Sequence, residues 1–398
     1  TLYNEYKLKN TTLKNRIVMA PMTRSRAIDN IPNDLMTEYY SQRAGAGLII
    51  SEGTSPSVNG VGYARIPGAY SPAQIEGWKQ VAEGVHKNDG KIFVQLMHCG
   101  RIAADENLPE GGEVISASAV QADGEMYTDA KGMLPHTTPR AMTLKDIEST
   151  QNEYVNSAKL LVDAGIDGVE LHAANGYLLE QFLNPKSNVR EDNYGGNFEN
   201  RARFVLETTE KVVAAIGADK VGIRVSPYGV NGDVQHDYDD LVELYNYLAL
   251  ELKKLGIAYI HIADHTAMGA PEFKTDIKAT AINNEIKVEK LALKQPEIIE
   301  EKPIENPIST EIATSKIQQE QLKQSNVIIS ASTYVEALKI KENPLETQQF
   351  KLILEKNAAE IEGAKKGYYV ITKFFSSPEN AFNWQKDLKE KGIRSDFL

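Results

Sequence analysis

Residues 171–179, LHAANGYLL, put His172, Asn175 and Tyr177 within six positions. An imidazole, a carboxamide and a phenol can donate hydrogen bonds, and the phenol can also give up a proton. Two readings compete. The three are functional groups facing one cavity, or they are a polar strand end followed by an ordinary Asn-Gly turn. A single strand-end histidine is most often structural, and Tyr177 taken alone reads as a half-buried aromatic. A spacing of three and then two residues across a glycine turn can nevertheless aim all three side chains at one cavity.

Elements with a repeating pattern would have to position them. Short apolar runs at 17–20, 48–52, 92–96, 168–172, 221–225 and 258–262 read as parallel strands covered on both faces. Helical periodicity separates them. Helices are expected over 72–88, with a proline in the first turn, over 144–164 behind a Thr143/Asp146 capping box, over 200–216 and over 238–255. This alternation predicts an α/β fold with a parallel sheet, either a (β/α)8 barrel or a doubly wound sheet. Gln95, His172 and Arg224 end their strands, where a barrel carries its active site. Residues 100–142 form a long insertion after the third strand, expected as a lid or hairpin.

Composition narrows the function classes. The chain has 398 residues, 41% of them hydrophobic, and a formal net charge of −11. No apolar run approaches the ~20 residues of a membrane helix, and the acidic balance argues against nucleic acid or an anionic membrane as partner. A small-molecule ligand is expected. One cysteine, Cys99, allows no internal disulfide, and the first residues do not resemble a signal peptide, so a cytoplasmic location is expected. His98, Cys99, His261 and His265 lack ligand-like spacing, and no metal site is expected. Asp192 is expected to pair with Arg201 or Arg203 in a structural ion pair.

Further motifs come in a fixed order. They are NRIVMAPMTR (15–24), VQLMHCGR (94–101), LHAANGYLL, REDNYGG (190–196), ENRARF (199–204) and GIRVSP (222–227). Over roughly residues 1–275 the chain resembles the Old Yellow Enzyme family of FMN-dependent ene-reductases, which are (β/α)8 barrels. The resemblance implies reduction of activated C=C bonds in α,β-unsaturated carbonyls, maleimides or nitro compounds, with NADH or NADPH as reductant. Pro21, Met22 and Thr23 would run along the flavin, and Gly53 would let the backbone approach its ring. Gln95 would read the pyrimidine edge through its amide, and Arg224 would set a cation beside the ring where negative charge collects. His172 and Asn175 would donate to the substrate oxygen while Tyr177 protonates the carbon next to it. Met97, where family members usually carry tryptophan, would line a widened substrate pocket with Tyr63 and Tyr70.

The C-terminal third departs from that pattern. From Pro271 to Glu362 there is no glycine. The barrel is therefore expected to be interrupted after strand six, with a linker over 276–325 and a small α/β segment over 326–398. The family's Gly-Gly and Gly-Arg turns that hold the FMN phosphate are missing, which predicts weak FMN binding. The segment GYYVITKFFSSPENAFNWQ resembles half of a sporulation-related repeat, a module that binds glycan strands. A composite chain is the expectation, joined between about 270 and 285. The alternative to an enzyme is then a non-enzymatic protein whose truncated barrel cannot retain FMN, with a glycan-binding tail.

Overall fold

The computed structural model of the protein describes residues 2–265. Six strands form one sheet: β1 (Val18–Met19), β2 (Leu48–Thr54), β3 (Ile92–Leu96), β4 (Gly168–Ala173), β5 (Val221–Val225) and β6 (Tyr259–Ile262). Every neighbouring pair is parallel, and the strands follow one another in chain order. A doubly wound sheet would reverse its order at a switch point. This sheet advances in single file, as the wall of a (β/α)8 barrel does.

Helices α1 (Asp34–Ser41), α2 (Pro72–Lys87), α3 (Leu144–Asp163), α4 (Leu178–Leu183), α5 (Phe198–Ile216) and α6 (Leu241–Leu255) connect the strands. Their starts have local causes. Ser71 and Gln74 form a capping box ahead of Pro72 on α2, Thr143 and Asp146 form another on α3, and the Asn197 side chain caps α5. Helix α6 begins at Leu241 rather than 238, and Gly256, left-handed at φ 69°, ends it. The short α1 and α4 were not expected from periodicity, nor was an N-terminal hairpin pairing Tyr6–Leu8 with Thr11–Leu13.

Alternation along the strands divides the interior in two. Val94, Leu96, Val169, Leu171, Val221 and Ile223 face the helices and join the main core. The other face changes character along the strands. Near their N-terminal ends Leu48, Ile50, Phe93 and Tyr259 pack with Leu8 and Leu13 of the hairpin, which plugs that end. Two positions on, at the C-terminal side, the inward residues become polar: Gln95 after Phe93, Glu170 after Gly168, Arg224 after Gly222, His261 after Tyr259.

The 100–142 insertion contains an antiparallel hairpin, Glu125–Thr128 with Gly132–Pro135, as expected. Its apolar underside, Ile102, Ala104, Ala122 and Met126, packs against Tyr63 and Tyr177. The linker, the tail and the 270–285 junction lie outside the described residues.

Candidate active site

Strand register gathers side chains far apart in sequence. Glu170 is opposite Gln95, and His172 is opposite Arg224, which is itself opposite His261. Glu170, completely buried, is the hub. It accepts from the Gln95 amide at 2.7 Å and lies 3.0 Å from Nδ1 of His261. Burial pushes its carboxyl up, but His261, Arg224 and the Gln95 bond outweigh that and hold it below the usual range. An ionised Glu170 can only accept, so it fixes the Nε2 side of Gln95 toward itself and turns Oε1 away as an acceptor. Burial lowers the Arg224 guanidinium, with partial relief from Glu170, Tyr177 and Glu180, and its Nε has no protein partner among the described residues.

Beside this layer, β4 runs out into the Asn175–Gly176 turn. Both residues are left-handed, at φ 59° and 79°, and a Cβ on Gly176 would sit 2.4 Å from the Gly232 carbonyl oxygen. The turn throws Tyr177 back over the barrel mouth, with its ring 4.8 Å from that of His172. The Tyr177 hydroxyl donates to the Tyr63 hydroxyl at 3.1 Å. Burial, reinforced by Tyr63 and Cys99, pushes Tyr177 well above the ordinary phenol value, so it remains protonated. Burial, with Arg224 and His261 nearby, pushes His172 well below its ordinary value. His172 is thus a neutral imidazole. Its Nδ1 and the Asn175 Oδ1 are enclosed yet lack protein partners among the described residues.

Met97, Tyr63, Tyr70 and Tyr177 meet around Val61, Ile66 and Cys99. The three residues expected to line the pocket are therefore one group with the expected acid. Gly53 has a reason other than close approach to a ring: a Cβ there would lie 2.5 Å from both Sδ and Cε of Met97. Pro21 and Met22 are half-buried at the end of β1, and Thr23 is exposed.

A family model described as the NADH:flavin oxidoreductase / NADH oxidase family matches residues 1–317. The chain is 40% identical over 287 residues to enoate reductase 1 of Kluyveromyces lactis, covering 69% of this chain and 72% of that one. Its fold is similar to morphinone reductase solved with tetrahydroNAD, with 41% identity, a TM-score of 0.63, and coverage of 66% of this chain and 73% of that one. It is also similar to the old yellow enzyme homologue of Zymomonas mobilis, with 39% identity, a TM-score of 0.64, and coverage of 66% and 73%. The chain belongs to the Old Yellow Enzyme family. It is a nicotinamide-dependent flavin oxidoreductase, and the family match runs past the boundary expected at 275.

The motifs of this Old Yellow Enzyme family member do not reveal three buried acids. Glu170 binds Gln95. Glu52 accepts from the Tyr40 hydroxyl at 3.1 Å and from the Arg24 backbone at 3.2 Å, which ties down the segment after Thr23. Glu180 lies under the Asn175–Gly176 turn. Each is a lone acid within an apolar run (LIISEG, GVELHA, YLLEQF), and a charge at such a position needs a partner. The Asp192 pairing is corrected. Asp192 pairs with its near neighbour Arg190, Arg201 reaches Asp240 at 2.6 Å, and Arg203 donates to the Asn193 carbonyl at 2.7 Å.

Proposed function

We propose that this chain reduces activated C=C bonds, such as those of α,β-unsaturated carbonyls, maleimides and nitroalkenes, with FMN as its flavin and NADH or NADPH as reductant. One observation carries the reading. Around a protonated tyrosine, the enclosed His172 Nδ1 and, next to it, the Arg224 Nε have no protein partner among the described residues. Unmet hydrogen-bonding capacity at that density costs about 1–3 kcal/mol per group unless a ligand meets it.

The residues present suit a flavin ring. The Gln95 Oε1, turned away from Glu170, is an acceptor for a ring N–H, and Arg224 is a cation for the carbonyl edge. Thr23, whose hydroxyl bonds no protein group among the described residues, and the Pro21–Met22 backbone border the same end of the barrel. When bound, the flavin supplies the hydride. The protein does the rest. Neutral His172 and the Asn175 amide donate to the substrate oxygen, which draws electrons from the double bond and stabilises the charge that develops there. Tyr177 gives its proton to the carbon next to that activated group. The Tyr63 hydroxyl is within reach to restore it. Apolar Met97, Val61 and Ile66 keep water from the site.

Half-reactions measured separately test this. Tyr177→Phe should leave flavin reduction by the nicotinamide almost unchanged and slow alkene reduction by roughly 10²–10⁴. Equal loss in both would overturn the role given to Tyr177.

A further inference from the structure

The aim of the Asn175 amide depends on a backbone turn that ordinary residues avoid. A non-glycine residue in the left-handed region costs on the order of 1 kcal/mol and persists where surrounding contacts enforce it. Here the contacts converge on Glu180, in the first turn of α4 and 2% exposed. The Gly176 N–H donates to Oε2 of Glu180 at 2.6 Å. Ser226, just beyond β5, donates to Oε1 at 2.8 Å and with the same oxygen accepts the Asn175 N–H at 2.9 Å. The Tyr245 hydroxyl donates to Oε1 at 3.3 Å, and Gln181 Nε2 holds the Gly176 carbonyl at 2.7 Å. Both N–H groups of the turn therefore end on one carboxylate, one directly and one through Ser226.

We infer that Glu180 is a positioning residue: through Gly176 and Ser226 it sets the Asn175–Gly176 turn, and thereby the direction in which the Asn175 amide meets the substrate oxygen. This rests on the substrate role proposed for Asn175. The chemistry favours a carboxylate. Burial pushes Glu180 up to about 7, and the three donors that face it, the Gly176 N–H and the Ser226 and Tyr245 hydroxyls, oppose this by favouring the ionised form, whose oxygens only accept. A glutamine would turn an N–H toward one of them. Ser226 is the second link, because without its hydroxyl the Asn175 N–H loses its acceptor while the Gly176 bond remains.

A double-mutant cycle decides the matter, because residues acting through one another do not add. Glu180→Gln and Ser226→Ala should each lower kcat/KM for an α,β-unsaturated ketone by about tenfold in the flavin-loaded protein. Each should also speed amide exchange over residues 175–176 in the absence of substrate. On an Asn175→Ala background neither should lower kcat/KM further. Losses that multiply on that background would overturn the proposal, and so would exchange rates equal to those of the unsubstituted protein. If Asn175→Ala alone leaves alkene reduction unchanged, the substrate role of Asn175 falls first and takes the proposal with it. Ser226→Ala removes one oxygen only, so it keeps the test available should Glu180→Gln fold poorly.

Discussion

Replacing Glu52 with glutamine should change how the stability of this protein depends on pH. Glu52 is 1% exposed, and burial pushes its carboxyl from the ordinary 4.5 up to about 7. The Arg24 N–H, the Tyr40 hydroxyl, and the charges of Arg24 and Arg26 hold it down only in part. Between those two values an unfolded chain releases the proton while the folded chain keeps it. The contribution of Glu52 is thus fully present below pH 4.5 and is lost as pH rises to about 7. That gap corresponds to about 3 kcal/mol, at ~1.4 kcal/mol for each tenfold in proton affinity. Glutamine imitates the protonated form at every pH. Urea unfolding of both proteins, followed by far-ultraviolet circular dichroism from pH 4.5 to 7.5, lets the other titrating groups cancel in the difference. The variant should gain about 3 kcal/mol relative to the parent across that range. A difference that stays constant within ~0.5 kcal/mol would refute the reasoning, since Glu52 would then ionise in the fold as it does in water.

Three further outcomes are expected. Tyr63→Phe removes the acceptor of the Tyr177 hydroxyl but not the acid itself, so single-turnover alkene reduction should slow a few-fold, far less than in Tyr177→Phe. Gly176→Ala brings a Cβ to 2.4 Å from the Gly232 oxygen at φ 79°, so thermal melting should show a loss of at least ~2 kcal/mol together with impaired alkene reduction. Arg224→Met takes the guanidinium charge from beside Glu170 and from the flavin edge, so titration with FMN should show affinity at least about tenfold weaker.

The sequence made the strands easy to find because both faces are covered and each reads as an apolar run. Strands β3 and β5 lie at the expected residues. The choice between barrel and doubly wound sheet needed the strand order, since both folds share the same alternation. Helix α4 has only six residues and the N-terminal hairpin three on each side, too few for a period to register. His172, Asn175 and Tyr177 were legible because they lie close together along the chain. The bond from Gln95 to Glu170 joins residues 75 positions apart and follows from register alone. Asp192 shows the opposite error: its partner is two residues away, while the expected Arg201 is committed to Asp240.

For anyone redesigning the pocket, the fit of Met97 against Gly53 makes two positions into one choice. Position 97 is the natural place to reshape the cavity. Its sulfur and terminal methyl already occupy the space where any other residue at 53 would put its first carbon. A smaller residue at 97 would leave that hollow empty, at a cost that rises with its volume, and a rigid ring at 97 would have to find another path out of β3. A library that varies 97 alone samples only residues able to share the hollow with a glycine. Varying 53 together with 97 opens shapes that neither position reaches separately.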